Sequence, residues 1–215
     1  MPAALLRSLE SARALGFLGP GPVDPHVRHA EGFTDLARRL SPRATPSSPA
    51  LVLDLGSGGG LPGLVLAALW PACSVVLLEA AARRVEFLRW AVDECGLADR
   101  ARVVQQRAED SGHEPSNRGA FDGVVARSFG TPAVAAECAA PFLRTRGWLV
   151  VSEPPGPEPG GSTGERWPPE PLSQLGLVPE ELVRGEFGFQ ILRQVEACPE
   201  RFARRNGVPA KRPLF

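Results

Sequence analysis

The stretch Leu51–Gly63, LVLDLGSGGGLPG, decides the fold of this chain. It joins a short apolar run, which predicts a buried strand, to the apolar segment Leu64–Leu69, which predicts a buried helix. Four of the five residues from Gly56 to Gly60 are glycine. Glycines between a strand and a helix let the backbone approach a ligand closely, and the helix N-terminus offers N–H donors. We therefore predict a ligand-binding loop here rather than a plain tight turn.

Apolar strands and helices alternate along the chain after this loop, which is typical of an α/β protein. The predicted strands are Ala50–Leu55, Ser74–Leu78, Ala101–Val104, Phe121–Ala126 and Gly147–Ser152. Further helices are predicted at Ala81–Cys95, where apolar residues recur at helical spacing, and from Pro132 to about Leu143. The segment Leu182–Val195 is predicted to form a hairpin that turns near Gly188.

The nearly all-apolar strands indicate a parallel sheet that is covered by helices on both faces. The predicted fold class is a doubly wound, mostly parallel, Rossmann-like α/β sheet with a C-terminal antiparallel hairpin. In such sheets ligands bind at the carboxyl ends of the strands. The glycine loop follows the carboxyl end of the first strand, so the motif and the predicted fold agree.

Two classes of cofactor compete for this loop: dinucleotides and S-adenosylmethionine. A dinucleotide site needs G-x-G-x-x-G and an acidic residue about 20 residues later. Gly56, Gly58 and Glu79 satisfy part of that pattern, but Leu61 stands where the third glycine belongs. Asp54 would repel a pyrophosphate, whereas the ammonium and sulfonium groups of S-adenosylmethionine attract a carboxylate. These residues favour S-adenosylmethionine.

The predicted cofactor pocket extends to the ends of the later strands. Glu79 ends the second strand, where its carboxylate is placed to accept hydrogen bonds from both ribose hydroxyls. Ala108 and Glu109 follow the third strand and offer a backbone N–H and a carboxylate to the adenine edge, and Arg127 ends the fourth. The predicted cofactor residues of the loop itself are Asp54, Gly56, Ser57, Gly58 and Gly60.

Length and composition fit one domain of ordinary size. The 215 residues are 43% hydrophobic and 22% charged, as in a soluble globular protein. We interpret them as a single domain with an N-terminal helical extension (1–48), a cofactor-binding core (50–152), a flexible loop (154–169) and a basic tail (198–215). No apolar run is long enough to span a bilayer and no signal-peptide pattern is visible, so we expect a cytoplasmic protein.

Cysteine and histidine spacing and net charge narrow the choice of partners. The four cysteines and three histidines show no metal-ligand spacing, so we expect free thiols and no metal. The formal net charge is zero, which argues against holding nucleic acid by bulk charge alone. Residues 201–215, however, carry several basic side chains and no acidic one.

Several segments together resemble the bacterial 16S ribosomal RNA guanine-N7 methyltransferase family, also called the glucose-inhibited division protein B family. They are DLGSGGGLPG, ARRVEFLRWAVDECGL, QQRAED, FDGVVARSFG and the tail RRNGVPAKRPL. The resemblance runs from about Leu51 to Ser152. It implies a class I S-adenosylmethionine methyltransferase fold, and ribosomal RNA or the small ribosomal subunit as partner. The cofactor contacts that it implies are Gly56, Leu61, Ala108, Glu109 and Arg127.

The chain departs from this family pattern in two places. The N-terminal region lacks the family's Trp-Asn and Asn-Leu-Thr signatures. After the fifth strand the chain reads Ser152-Glu153-Pro154-Pro155, where the family usually has a lysine. These departures leave open a methyltransferase that acts on a small molecule or a protein, or a non-catalytic relative that binds the cofactor.

Guanine N7 carries a free lone pair, so its methylation requires positioning and exclusion of water rather than a base. Because the product base gains positive charge, we predict Glu153 as a catalytic carboxylate, together with Arg127. Ser128 and Phe129 are predicted to contact the substrate, Phe129 by stacking on the base. The remaining predicted substrate residues lie in the tail and would meet phosphates: Arg204, Arg205 and Lys211.

Overall fold

A computed structural model describes residues 1–154 and 166–215 of the chain. It contains two compact units, Met1–Gln106 and Arg107–Phe215. Most of the predicted flexible loop, residues 155–165, lies outside the described residues.

The first unit begins with two helices within the predicted N-terminal extension, α1 (Ala3–Ala14) and α2 (Val23–Leu40). In α2 the buried apolar residues Val27, Ala30 and Phe33 recur at helical spacing and form one stripe. Burial of this stripe supplies the packing that stabilises the helix, because propensity alone does not hold a helix of this length in water.

The rest of the first unit is a parallel βα layer. Its elements are β1 (Ala50–Leu55), α3 (Gly63–Leu69), β2 (Cys73–Glu79), α4 (Ala82–Glu94) and β3 (Ala101–Gln105). The strands lie in the order β3-β2-β1 and all pair in parallel. Their boundaries differ from the prediction by two residues at most. Parallel pairing brings the ends of β1 and β2, and therefore Asp54 and Glu79, to the same edge.

The second unit contains the four remaining strands in the order β4-β5-β7-β6. Its elements are α5 (Ala108–Ser111), β4 (Phe121–Ala126), α6 (Pro132–Ala139), β5 (Leu143–Glu153), α7 (Pro169–Ser173), β6 (Leu177–Val183), β7 (Gly188–Gln194) and α8 (Val208–Lys211). β4 and β5 are parallel, and β5, β7 and β6 pair antiparallel. The antiparallel hairpin predicted near the C-terminus is therefore present.

Three elements of this unit differ from the sequence prediction in extent. The helix from Pro132 gives way at Ala140 to a 3-10 turn, since Pro141 lacks the N–H that would continue α-helical hydrogen bonding. β5 begins at Leu143, four residues before the predicted Gly147. Its first four residues, LRTR, are mostly polar and exposed, so the sequence shows no apolar pattern there. β6 likewise begins at Leu177, ahead of the predicted Leu182.

Candidate functional site

The glycine loop of the first unit is held by backbone hydrogen bonds. The amides of Gly56 and Ser57 both donate to the carbonyl of Leu78, over 2.9 and 3.0 Å, and the Gly60 amide donates to the Ser57 carbonyl over 2.7 Å. Gly56, Gly58 and Gly60 have φ values of 72°, 54° and 92°, which side chains rarely adopt. The glycines predicted from sequence are thus required by the shape of the backbone itself.

Asp54 fixes the start of the helix that follows this loop. Its side chain is fully buried, and its Oδ2 accepts a hydrogen bond of 3.0 Å from the Gly63 amide. A Cβ at position 63 would lie 2.5 Å from that same oxygen and 2.3 Å from Leu77 Cδ2. Because Asp54 has no exposed surface, it acts on a ligand through its charge and through the loop that it holds, and direct contact is excluded in this conformation.

Glu79 lies beside the loop at the end of β2. Its Oε1 accepts hydrogen bonds from the Ala80 and Ala81 amides, at 2.9 and 2.8 Å, and its Oε2 accepts one of 3.0 Å from the Gly58 amide. Arg84 lies 3.8 Å from Oε2. The carboxylate is therefore held rigidly against the glycine loop, as a fixed acceptor for hydroxyl groups requires.

Sequence reasoning missed the segment that covers this loop. A Cβ at Gly59 would lie 2.7 Å from Leu18 Cδ2 and 2.9 Å from the Phe17 carbonyl oxygen. The guanidinium of Arg83 lies over the Phe17 ring, 5.5 Å from its centroid. The connection between α1 and α2 thus packs directly on the glycine loop. The local pattern around Phe17 indicates a turn, but it contains no signal for the partner.

Glu109 is the buried carboxylate of the second unit. Its Oε1 accepts hydrogen bonds of 3.0 Å from the Arg107 guanidinium and from the Gly207 amide. Burial favours a raised pKa for Glu109, but the hydrogen bonds from Gly207 and from its own amide, together with Arg107, outweigh burial and leave the pKa lowered. A charged, oriented acceptor therefore stands at the start of α5, beside the predicted Ala108.

Arg127, Ser128 and Phe129 follow β4, as the sequence predicts. Arg127 and Phe129 are half-buried and Ser128 is exposed. Ser128 adopts a φ of 54° without being glycine, and such strained residues cluster at ligand sites. This geometry favours a site at the end of β4, and it leaves the individual roles of the three residues as predictions.

Glu153 occupies a different environment from the one expected of a catalytic carboxylate. It is buried at the end of β5, where its Oε2 accepts a hydrogen bond of 2.8 Å from Arg166 and its Oε1 one of 2.9 Å from the Trp167 indole. Arg166 offsets its charge. These contacts tie β5 to the residues before α7, a structural role that the sequence prediction did not foresee.

The basic tail divides into an anchored and an exposed part. Arg204 forms an ion pair with the fully buried Glu137, with Arg204 Nη2 2.5 Å from Oε2 and Nε 2.7 Å from Oε1. This contact corrects the expectation that the Arg204 guanidinium faces a phosphate. Arg205 and Lys211 are exposed. Of the three predicted tail residues, two retain a geometry suited to phosphate contact.

Other classes of site were searched for within the described ranges. Across residues 1–154 and 166–215, no group of three or more histidine, cysteine, aspartate or glutamate side chains is placed to hold a metal ion. No helix in this part of the chain combines the length and the apolar character that crossing a membrane requires. All four cysteines are free thiols.

Residues 37–153 match a family model described as GidB, rRNA small subunit methyltransferase G. Two curated relatives bear the name ribosomal RNA small subunit methyltransferase G. The one from Rubrobacter xylanophilus is 37% identical over 76% of this chain and 64% of its own length. The one from Thermotoga sp. strain RQ2 is 38% identical over 76% of this chain and 72% of its own. The chain thus matches just under two thirds of the first relative.

Two solved structures of similar fold are described as O-methyltransferases. The Bacillus cereus O-methyltransferase, described in complex with SAH, has a TM-score of 0.63 at 17% identity and covers 91% of this chain and 92% of its own. TomG from Streptomyces achromogenes, described in complex with SAM, has a TM-score of 0.62 at 18% identity and covers 91% of each chain. These likenesses confirm the predicted class I methyltransferase fold.

Proposed function

Because the chain belongs to the rRNA small subunit methyltransferase G family, we propose that it transfers the methyl group of S-adenosylmethionine to N7 of a guanine in 16S ribosomal RNA. The observation that carries this proposal is the family match over residues 37–153. That range contains the glycine loop, Glu79, Glu109 and Arg127, which are the residues that sequence reasoning assigned to the cofactor. Family membership supports the predicted cofactor and the predicted class of enzyme, and the fold agrees with both.

The first unit contributes a donor and acceptor set that fits a cationic nucleoside. Two carboxylates, Asp54 and Glu79, end neighbouring strands, and they favour a ligand with ammonium and sulfonium groups over a pyrophosphate. We assign Glu79 to the ribose hydroxyls, and the loop from Gly56 to Leu61, including Ser57, Gly58 and Gly60, to the methionine part. Asp54 supports this site from behind by holding the Gly63 amide.

The adenine and substrate assignments come from the sequence and from the family resemblance. The Ala108 N–H and the Glu109 carboxylate are assigned to the adenine edge, and Arg127 to the cofactor and the reacting base. Ser128 and Phe129 are assigned to the guanine, with Phe129 stacking on it. Glu153 has no catalytic role in this proposal, because Arg166 and Trp167 donate hydrogen bonds to its two oxygens.

No residue has to remove a proton in the proposed reaction, since guanine N7 carries a free lone pair. The cofactor supplies the methyl group and its own leaving group from the sulfonium. The chain holds the base and the cofactor in line and excludes water from the reacting atoms. Arg205 and Lys211 bind phosphates of the RNA and so bring the acceptor to the site.

The test is methyl transfer to small ribosomal subunits from a strain that lacks this gene, with nucleoside analysis of the product. We expect labelled N7-methylguanosine in 16S RNA, and no further transfer to subunits from the parent strain. Failure to label RNA over a range of salt concentrations would contradict the proposal. Labelling of an extract that resists RNase would instead favour a protein or a small molecule as the acceptor.

A paired variant, Arg205→Ala with Lys211→Ala, tests the phosphate contacts. Loss of two phosphate contacts reduces the slope of log binding constant against log salt by about 2. We expect weaker binding to the subunit at physiological salt and unchanged affinity for S-adenosylhomocysteine. An unchanged salt slope would show that Arg205 and Lys211 do not contact RNA phosphates. The methyltransferase assignment would not be affected by that result.

A further inference from the structure

The C-terminal segment Arg201–Arg212 is docked within the second unit by contacts on both sides of Arg204. Phe202 is 3% exposed and Ala203 is fully buried. The carbonyl of Phe202 accepts a hydrogen bond of 2.8 Å from Arg118, and the carbonyl of Ala203 lies 2.6 Å from His113 Nε2. Side chains from the body of the unit thus bind the backbone of this segment and fix its course.

The buried ion pair between Arg204 and Glu137 anchors the middle of the segment. Glu137 also accepts a hydrogen bond of 3.0 Å from the Arg204 amide, so main chain and side chain of the same residue converge on one carboxylate. The Arg204 guanidinium in turn donates to the carbonyl of Arg212 over 2.7 Å. Arg204 therefore connects α6 to Arg212, the residue that follows the short helix α8.

Beyond this anchor, two successive residues of the segment bind two successive residues of α5. Asn206 Nδ2 donates to Asp110 Oδ2 over 2.7 Å, and the Gly207 amide donates to Glu109 Oε1 over 3.0 Å. Arg107 donates to the same Oε1 from within its own segment. The orientation of the Glu109 carboxylate is thus set jointly by Arg107 and by the tail.

We propose that the docked segment Arg201–Arg212 is a positioning element of the adenine subsite. Gly207 holds Glu109 directly in the orientation that selects adenine, and Asn206 fixes the neighbouring Asp110 of the same helix. The inference rests on the proposed function, which assigns Glu109 to the adenine edge. A carboxylate on a rotatable side chain discriminates between bases only when its acceptor direction is fixed in advance. The tail amide supplies that constraint, and its loss weakens discrimination more than it weakens overall binding.

The test compares two probes, S-adenosylhomocysteine and S-inosylhomocysteine, by titration calorimetry on the full chain. The inosyl probe has a C6 carbonyl in place of the adenine amino group and an N1–H in place of the N1 acceptor, so it reverses the donor and acceptor pattern that Glu109 and the Ala108 N–H are proposed to bind. We expect the wild-type protein to bind the adenosyl probe at least about tenfold more tightly, since it leaves no buried acceptor unpaired.

Gly207→Ala strains a backbone with a φ of 76°, in a place where a methyl group meets no other atom within 4 Å. The substitution therefore displaces the amide without a steric clash. We expect about a fivefold loss of affinity for the adenosyl probe, and a preference over the inosyl probe that falls toward one. Asn206→Ala should act in the same direction, by about twofold.

Arg212→Ala is the matched control, because it removes an exposed cation from the same segment and leaves the carbonyl that binds Arg204 in place. It should keep the wild-type preference. A preference that survives in both Gly207→Ala and Asn206→Ala overturns the inference. If Gly207→Ala fails to fold, Asn206→Ala alone decides. A wild-type protein that does not bind S-adenosylhomocysteine contradicts the proposed function itself.

Discussion

The glycine loop, residues 56–62, and the docked segment Arg201–Arg212 both lie outside the strands, yet they are held by opposite means. In the loop, amides of Gly56 and Ser57 bind a neighbouring backbone carbonyl, and glycine supplies the left-handed φ values. In the docked segment, charged side chains such as Arg118 bind backbone groups, and one buried carboxylate, Glu137, binds an arginine.

This difference decides what each region tolerates and what a sequence reveals. A loop shaped by its own backbone depends on the residue type at each position, and that requirement is visible locally. A segment held by side chains depends on partners that lie far along the chain. Arg204 is 67 residues from Glu137, and Gly207 is 98 residues from Glu109. The comparison makes separate predictions for stability and for cofactor binding.

The largest effect is expected on stability, from Arg204→Ala. Removing the guanidinium leaves the fully buried Glu137 carboxylate without its counter-charge, which destabilises a protein by about 3–5 kcal/mol. Urea unfolding at neutral pH measures the loss. The exposed neighbour provides the control, since Arg205→Ala should stay within about 0.5 kcal/mol of the wild type. Equal stability of the two variants would show that the tail is not anchored in this way.

The next effect concerns the cofactor rather than the fold. Gly58→Asp places a second carboxylate beside Glu79, whose Oε2 accepts from the Gly58 amide, and like charges at this distance repel. We expect affinity for S-adenosylmethionine to fall by roughly 100-fold or more in calorimetry. Gly58→Ala is the control, because it carries the same backbone strain at a φ of 54° without the charge, and its methyl group meets no atom closer than 3.8 Å. Binding that survives Gly58→Asp would disprove the assignment of the glycine loop to the cofactor.

Gly63→Ala separates crowding in the loop from strain. The added methyl group would lie 2.3 Å from Leu77 Cδ2 and 2.5 Å from Asp54 Oδ2, so the start of α3 must shift. Overpacking of this kind costs about 1–3 kcal/mol, and thermal unfolding detects it. If Gly63→Ala proves as stable as the wild type, the close approach of Asp54 to the loop is not required.

The smallest effect is a pH dependence of the second unit. Burial acts to raise the folded-state pKa of Glu109, but the hydrogen bonds from Gly207 and from its own amide, together with Arg107, lower it overall. Its stabilising contribution is therefore present above its unfolded pKa of about 4.3 and is lost as the pH falls through the lower folded value. Between about pH 6 and about pH 3, the free energy of unfolding of Glu109→Gln should change less than that of the wild type. Parallel pH profiles would contradict the assignment.

Much of the architecture and the first half of the site were predictable from the sequence. The strands around Val52 and Val124 are continuous apolar runs, and the glycines after Leu55 require a tight backbone, so both signals are local. Gly59, by contrast, is covered by Phe17 and Leu18. Nothing in the sequence around those two residues indicates that they pack on the glycine loop.

The charged residues show why the remainder was not predictable. Glu153 and Arg204 are ordinary acidic and basic residues in the sequence, and the prediction assigned one to catalysis and the other to RNA. Each is instead neutralised by an opposite charge, Arg166 and Glu137 respectively. Which charges pair depends on the folded course of the chain, so a residue's type shows its charge but not its partner.

The docking of Gly207 on Glu109 also bears on how the protein is made. A chain is synthesised from its N-terminus and folds as it emerges, so Glu109 exists for the time it takes to translate 98 further residues before its partner does. A product of premature termination that stops before Asn206 contains every glycine of the loop and lacks the Gly207 amide. The carboxylate of Glu109 is therefore oriented only after Gly207 has been synthesised.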